Sequence, residues 1–249
     1  MMLLISHRPF PIRPAPQVLA VGVNGLQPRK GISDRETGLH TLNHRLCEWT
    51  GILTAASLIR SGTLRIESSW VGTCHYRRLL WLTSERHGRV VPHFCRASRD
   101  PMAACQALTD PTFVEDVLQD HDIIVPRTFH NDRPLADQYA VDHVAEDWEV
   151  FVSILAEQYG ADARRFFQRT HGFTRCGMFV MAKDRFLSYC DEALAVIEKL
   201  LVRLTPRDDL YQNRAVAFLM ERFVTFTIHQ MRMRAFQTPL VLLDPGQRW

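Results

Sequence analysis

The sequence lacks the long apolar segments that mark membrane and secreted proteins. None of its 249 residues belongs to a run of the roughly 20 apolar residues that a membrane-spanning helix needs. The N-terminus, MMLLISHRPF, has a short apolar run but neither a basic leader nor a small-residue cleavage site. We therefore expect a cytoplasmic protein, with peripheral contact at the inner face of the cytoplasmic membrane as an open alternative.

Motifs that identify common enzyme sites are also missing. The chain has no glycine-rich phosphate loop of the GxGxxG or GxxxxGK[ST] type, no HExxH and no GxSxG. Its six cysteines form no CxxC pair, and its eleven histidines have no zinc-type spacing. These absences argue against P-loop enzymes, zinc enzymes and serine hydrolases. Free thiols in a reducing compartment are the expected state of the cysteines.

Strong positive charge is absent as well. The formal net charge is +3, which is too small to indicate nucleic-acid binding but suits a small anionic ligand. The basic stretch 83–100 contains Arg86, Arg89, Arg96 and Arg99, and we expect an exposed loop there. The alternative is that this loop approaches an anionic lipid surface.

Strands that alternate with helices indicate an α/β fold with a mainly parallel central sheet flanked by helices. No linker or repeat divides the chain, so we expect one domain over residues 1–249. Residues 26–44 have little periodicity and are predicted to form a long loop. The predicted strands are 2–5, 18–22, 69–73, 122–126, 177–182 and 239–243. The predicted helices are 46–59, a short one from 110, 137–158, 186–204 and 215–232.

Two adjacent arginines, Arg77 and Arg78, interrupt the apolar stretch VGTCHYRRLLWL. A guanidinium keeps its charge in proteins, so burying one without a partner is very costly. Both follow a predicted strand, as Arg8 follows the first strand, and ligands of parallel sheets gather beyond such strand ends. The pattern indicates a cradle for a phosphate or diphosphate. Ion pairs with structural carboxylates such as Glu48 or Glu221 are an equally good interpretation.

A second candidate patch lies in the predicted helix 137–158. Tyr139, His143 and Asp147 are spaced four residues apart and would share one face of that helix. A hydroxyl, an imidazole and a carboxylate in one line are suited to acid–base chemistry. On spacing alone, a solvated or structural helix face is the simpler interpretation.

One acidic pair, Asp120 and Asp122, has a spacing that could hold a divalent metal. It follows a predicted helix and precedes a predicted strand, whereas a metal-holding pair is expected where a strand ends in a cleft. We interpret it as a helix end and a strand start.

Several short motifs follow one another along the chain. They are Ile5–Arg8, Thr37–Gly38 with Asn43, Cys47–Glu48 and Thr50, Gly72 with His75–Arg78, Asp122–Pro126, Tyr139 with His143, Asp147 and Trp148, Gly177–Met181, Phe186 with Tyr189 and Cys190, and Arg214 with Phe218, Glu221 and Arg222. Their order resembles a bacterial family found in capsular and exopolysaccharide gene clusters. That family was long catalogued as a domain of unknown function and is treated as glycosyltransferases of the GT-A type.

The resemblance implies transfer of a sugar from a nucleotide-diphosphate donor to a growing cell-surface polysaccharide or glycolipid acceptor. We assign donor or diphosphate binding to His7, Arg8, His75, Tyr76, Arg77 and Arg78. We assign catalysis to Asp147 as proton acceptor, with His143 next in line. The other expected cleft residues are Asn43, Glu48, Thr50, Tyr139, Met178, Glu221 and Arg222. A divalent cation, Mn²⁺ or Mg²⁺, stays an open possibility without assigned ligands.

The chain departs from the family pattern at several polar positions. Ser57 and Leu58 stand where the family has lysine and asparagine, and Gly177 replaces an asparagine. Leu39 and His40 replace an Asp–Asn pair. If these positions hold donor or acceptor, substrate choice has changed or activity is weakened. The alternative function is therefore a catalytically inactive binding or scaffold protein in polysaccharide assembly.

Overall fold

The computed structural model describes residues 1–9, 15–84 and 100–243. Within these ranges the strands are β1 (Met2–Ser6), β2 (Val18–Gly22), β3 (Ile32–Ser33), β4 (Trp70–His75), β5 (Arg78–Leu80), β6 (Ile123–Pro126), β7 (Phe129–His130), β8 (Gly172–Phe173), β9 (Val180–Ala182), β10 (Ala235–Thr238) and β11 (Leu240–Leu242). The helices are α1 (Asn43–Leu46), α2 (Trp49–Arg60), α3 (Pro101–Ala107), α4 (Pro111–Asp120), α5 (Leu135–Asp142), α6 (Ala145–Tyr159), α7 (Asp162–Arg169), α8 (Lys183–Arg203) and α9 (Ala215–Gln230).

A mainly parallel sheet organises the chain, as the sequence predicts. Its order is β10-β6-β9-β4-β1-β2-β3, with β5 attached to β4 and β11 attached to β5. Strand β1 runs parallel to both β2 and β4, and β10 runs parallel to β6. Strand β9 lies between β4 and β6 and is antiparallel to both. The carboxyl ends of β1 and β4 therefore lie side by side at one edge.

Hydrophobic residues cover both faces of this sheet. Leu3 and Ile5 of β1 belong to the larger core cluster, whereas Met2 and Leu4 belong to the cluster on the other face. This division follows from the two-residue side-chain period of a strand, and a parallel strand buried on both faces is apolar throughout. No helix within the described ranges is long and apolar enough to span a membrane.

The predicted helix 137–158 is wrong, because the chain forms two helices there. Helix α5 ends before His143, whose extended backbone (φ −137°, ψ 174°) turns the chain, and α6 starts at Ala145. The His143 ring packs against Phe218 with a centroid separation of 4.2 Å, a contact that local sequence does not reveal. Tyr139, His143 and Asp147 therefore do not share one face of a continuous helix.

The predicted loop 26–44 is also wrong. It contains the short strand β3, two 3₁₀ turns at Asp34–Thr37 and Leu39–Leu42, and the start of α1. The first turn is held by a capping box, in which the Ser33 side chain accepts from Arg35 N–H and the Glu36 side chain accepts from Ser33 N–H. The predicted strand 239–243 is present as β11, but β10 was not predicted. Residues 85–99, with the four arginines named above, lie outside the described residues.

Candidate functional site

The ends of β1 and β4 bring together the two histidine-containing motifs. Because Ile5 pairs with His75 in register, the residues that follow each strand are neighbours. The His7 ring lies 5.4 Å from the Tyr76 ring and 6.3 Å from the His75 ring, measured between centroids. Ser6 Oγ donates to the Arg8 carbonyl at 2.7 Å and so fixes the turn that carries His7 and Arg8. The convergence expected from the sequence is therefore present.

The arginine pair adds positive charge to this edge. The Arg77 guanidinium lies 5.2 Å from the Tyr76 ring centroid, and Arg78 Nη1 donates to Cys176 Sγ at 3.2 Å. Burial raises the pKa of the Cys176 thiol to about 12, so this sulfur stays neutral and does not cancel the arginine charge. The two guanidiniums therefore concentrate positive charge beside His75 and Tyr76.

The two histidines respond to that environment. Burial, and then the charges of Arg78 and Arg77, lowers the pKa of His75 to about 3, so this imidazole is neutral at physiological pH. Burial also lowers the pKa of His7, as do Arg8, Arg77 and Arg214. The Nδ1 atom of His75 and the hydroxyl of Tyr76 are buried and have no hydrogen-bond partner among the described residues. Such groups are costly unless a ligand or water satisfies them.

A pair of glutamates borders the arginines. Burial raises the pKa of Glu48 to about 7, and the charge of Glu221 raises it as well, against the opposing effects of Arg78 and Arg214. Glu48 immediately precedes α2, whereas Glu221 projects from α9. Two carboxylates therefore lie in the same region as Arg77 and Arg78. This arrangement is compatible both with a phosphate cradle and with structural ion pairs.

Asn43 and Thr50 position the turn that carries Glu48. Cys47 has the strained backbone angles φ 50° and ψ −125°. Asn43 Nδ2 donates to the Cys47 carbonyl at 2.7 Å and to Thr50 Oγ1 at 2.9 Å. Thr50 Oγ1 in turn donates to Asp34 Oδ2 at 2.8 Å. The buried Asp34, which the sequence did not single out, therefore anchors a chain of hydrogen bonds that ends at the site.

Aromatic rings form a second group at the start of α9. His143 stacks against both Phe218 and Tyr211, whose centroids lie 4.2 and 5.6 Å from its own. Burial, and then the charge of Arg222, lowers the pKa of His143 to about 4. Tyr139 is fully buried beside His143, with centroids 4.6 Å apart.

Arg222 holds this aromatic group to its neighbours. Its guanidinium is buried, donates to the Phe218 carbonyl at 2.8 Å and to Gln138 Oε1 at 3.0 Å, and lies 4.2 Å from the Phe173 ring centroid. These contacts within the protein suit a structural arginine. The adjacent Glu221 keeps about a fifth of its side chain exposed and is the more accessible of the two.

Asp147 is held in a bidentate ion pair. Arg207 Nη1 and Nη2 donate to its two carboxylate oxygens at 2.6 and 2.7 Å, and the Asp147 side chain is 3% exposed. The role of Asp147 as proton acceptor stays a prediction. Arg207 occupies both carboxylate oxygens and would compete with a substrate hydroxyl for them. Met178 is 2% exposed and belongs to the smaller core cluster.

The family departures fall at different distances from the site. Leu58 packs in the core and Ser57 is exposed, both towards the end of α2 remote from Glu48. Ser57 comes nine positions after Glu48 along the helix, a rise of about 13 Å. Gly177, in contrast, lies beside Glu48: a Cβ atom there would be 3.5 Å from Glu48 Oε1.

Sequence reasoning missed Arg214 and Cys176 as site residues. The charge of Arg214 lowers the pKa values of His7, Cys47 and Glu48. Arg214 belongs to the last of the motifs in the sequence, but the sequence alone gave this residue no role. For the acidic pair, the helix-end interpretation agrees with the geometry. Asp120 ends α4, and the Asp122 carboxylate accepts from Arg185 and from the Arg234 backbone N–H. Within the described ranges, no group of three or more His, Cys, Asp or Glu residues could hold a metal ion.

Comparison with known proteins supports the fold and gives the family. The structure resembles the apo structure of WbbM, a bifunctional glycosyltransferase, with a TM-score of 0.79 and 17% identity. The match covers 98% of this chain and 45% of that one, so this chain spans less than half of the WbbM chain. No curated protein matches. The family described as a domain of unknown function, DUF4422, matches residues 2–232, and the chain belongs to that family.

Proposed function

We propose that this protein is a glycosyltransferase that moves a sugar from a nucleotide-diphosphate donor to a cell-surface glycan or lipid-linked glycan. The observation that carries the proposal is the convergence of His7–Arg8 and His75–Arg78 at the carboxyl ends of two adjacent parallel strands. In open α/β sheets this is where ligands bind. The fold shared with a solved glycosyltransferase supports the same assignment.

The arginines suit the leaving group of such a reaction. A nucleoside diphosphate gains negative charge as the glycosidic bond breaks, and fixed cationic donors stabilise that charge. Arg77 and Arg78 follow β4 closely. Arg8 and Arg214 lie near enough to His7 for their charges to lower its pKa. The neutral His75 and the Tyr76 hydroxyl supply buried polar atoms that a phosphate oxygen would satisfy.

Glu221 is the better-placed proton acceptor for the incoming hydroxyl. Its charge raises the pKa values of Glu48 and Cys176, which lie beside Arg78, and also that of Tyr211 in the aromatic group. A carboxylate between the donor side and a half-exposed aromatic ring is where an acceptor sugar would approach. Asp147, with both oxygens on Arg207, then acts as a structural residue, contrary to the role assigned from the sequence.

A divalent cation does not fit the described residues well. Glu48 and Glu221 are two carboxylates among arginines, and no third metal-ligating side chain joins them in the described part of the chain. In the proposed transfer the arginines, and not Mn²⁺ or Mg²⁺, stabilise the charge of the leaving diphosphate.

An inactive binding protein is the second candidate. It rests on the departures from the family pattern, but Ser57 and Leu58 lie along α2 away from Glu48. Of Ser57, Leu58 and Gly177, only Gly177 lies beside Glu48, and the chain keeps the His75–Arg78 motif. Hydrolysis of a sugar nucleotide in the absence of acceptor separates the two candidates, because a binding protein would release no sugar.

The first test is thermal stabilisation by UDP, GDP and a panel of their sugar nucleotides, with and without Mn²⁺ or Mg²⁺. Binding at a hundredfold excess over Kd adds about 2.7 kcal/mol, which is a shift of several degrees. Arg77→Lys should reduce the shift, because lysine keeps the charge but loses the planar fork. Arg60→Lys is the matched control, since Arg60 pairs with Asp191 on the surface. No shift with any nucleotide would contradict the proposal.

A further inference from the structure

The segment before β9 has an unusual backbone beside Glu48. Cys176 and Gly177 both have positive φ, 72° and 56°. The Gly177 carbonyl accepts from Thr73 Oγ1 at 3.3 Å, and Phe179 N–H donates to the same hydroxyl oxygen at 3.1 Å. Thr73 belongs to β4, two residues before His75. The turn at Gly177 is therefore fastened to the strand that leads into the arginine pair.

Glycine at this position leaves a small space with polar walls. A Cβ atom on residue 177 would lie 3.5 Å from Glu48 Oε1 and 4.0 Å from Trp49 Nε1, with no closer neighbour. The Trp49 side chain is fully buried, and its Nε1 has no hydrogen-bond partner among the described residues. We call this space the 177 notch, and define it by Gly177, Glu48 and Trp49. A buried indole N–H without an acceptor, 4.0 Å from this Cβ position, indicates a missing hydrogen-bond partner.

One hydroxyl group fits the chemistry of the 177 notch. An indole nitrogen can only donate, whereas a hydroxyl both accepts and donates, so it can accept from Trp49 and donate to the Glu48 carboxylate. Burial, and then the charge of Glu221, raises the pKa of this carboxyl to about 7, against the lowering effects of Arg78 and Arg214.

The neighbours of the 177 notch identify which molecule supplies the hydroxyl. Arg78 Nη1 contacts Cys176 Sγ at 3.2 Å, one residue before Gly177, so the notch adjoins the guanidinium proposed to bind the diphosphate. In a sugar nucleotide the sugar is bonded directly to that diphosphate. We propose that the 177 notch binds a hydroxyl of the donor's sugar and so selects among sugar nucleotides. The inference rests on the proposed function.

The test is to fill the 177 notch without changing the backbone. Gly177→Asn suits this purpose, because asparagine tolerates positive φ better than most residues. Its amide would contact Trp49 and Glu48 in place of the sugar hydroxyl. Gly62→Asn is the matched control: Gly62 has φ 76°, lies in the turn after α2 and has nothing within 4 Å of its Cβ position.

Affinities for UDP, GDP, UDP-glucose, UDP-galactose, UDP-N-acetylglucosamine and GDP-mannose are measured by calorimetry on both variants and on the natural chain. We expect Gly177→Asn to weaken binding of the preferred sugar nucleotide by about tenfold or more while the free nucleoside diphosphate binds as before. Gly62→Asn should change neither affinity. Equal weakening of sugar nucleotide and free diphosphate, or weakening of neither, would overturn the inference.

Deoxy analogues of the preferred sugar nucleotide give a second, independent measurement. Removing the hydroxyl that enters the 177 notch should weaken binding to the natural chain and cause no further loss in Gly177→Asn. If no single hydroxyl shows this behaviour, the inference fails even when the donor binds. If neither diphosphate nor sugar nucleotide binds the natural chain, the proposed function fails and the inference fails with it. The analogue series on the natural chain also decides the matter if Gly177→Asn does not fold.

Discussion

Glu48 carries the clearest pH dependence at the scale of the single residue. Its pKa of about 7 in the folded protein lies above the ordinary value of 4.5, mainly because of burial and then because of Glu221. Between those pH values the folded state binds more protons than the unfolded state, so the free energy of unfolding falls as pH rises. The stabilising contribution is complete below pH 4.5 and is lost above about pH 7.

Glu48→Gln should remove this dependence, because glutamine resembles the protonated carboxyl. We expect the variant to match the natural chain near pH 4.5 and to exceed its free energy of unfolding by up to about 3 kcal/mol above pH 7. Urea unfolding from pH 4.5 to pH 8 measures the difference. Glu149→Gln, at a residue whose side chain is 71% exposed, is the control. Parallel pH profiles for Glu48→Gln and the natural chain would contradict the expectation.

Asp147 and Glu221 can be separated by comparing stability with turnover. Asp147→Asn breaks the bidentate pair and leaves Arg207 without its carboxylate, so we expect a loss of about 2–4 kcal/mol in the free energy of unfolding. Glu221→Gln keeps an oxygen that can accept from Arg222 Nη1, which lies 3.5 Å from Glu221 Oε2, so we expect a smaller loss of stability than for Asp147→Asn. It should lose sugar-nucleotide hydrolysis by 10²-fold or more, on the order of a lost general base. An Asp147→Asn variant that keeps its stability and loses hydrolysis would instead support the role predicted from the sequence.

The elements differ in how far their neighbours can be predicted from the sequence. Strands β1, β2, β4 and β6 are short apolar runs, so local pattern suffices to locate them. Ligands gather beyond the ends of parallel strands, and this rule led to the prediction that Arg8 and the arginine pair follow such ends. The break between α5 and α6 has no proline or glycine to signal it, and depends on packing against α9. Arg207 lies 60 residues beyond Asp147, so that pairing is invisible before folding.

Asn43 offers a test of how one element supports another. Asn43→Ala removes two hydrogen bonds that hold the turn at Cys47, so we expect a loss of about 1–3 kcal/mol in the free energy of unfolding and weaker donor binding. Asn131→Ala is the control, because Asn131 is exposed and donates only to the His171 carbonyl in the described contacts. Thermal unfolding and calorimetry measure the two effects. Unchanged donor affinity in a destabilised Asn43→Ala would show that the turn does not position the site.

At the scale of the whole molecule, the candidate site is assembled from distant parts of the chain. The turn after β1, the turn before α2, the end of β4, the segment before β9 and helix α9 all contribute to it. Formal net charge is only +3, yet four arginines concentrate around these turns, so local placement decides the character of the site. Composition suited an anionic ligand but could not predict the carboxylate pair, which requires α9 to be in place.

The antiparallel position of β9 has a consequence for the order of synthesis. As the chain leaves the ribosome, β1, β2 and β4 can pair among themselves, and the histidine turns form with them. Strand β6 reaches β4 only through β9, and Glu221 is made later still. Such long-range pairing is slow, because distant segments lose conformational entropy in coming together before their contacts add stability. The nascent chain therefore holds Glu48 and the arginine-bearing strand ends before Glu221 is made.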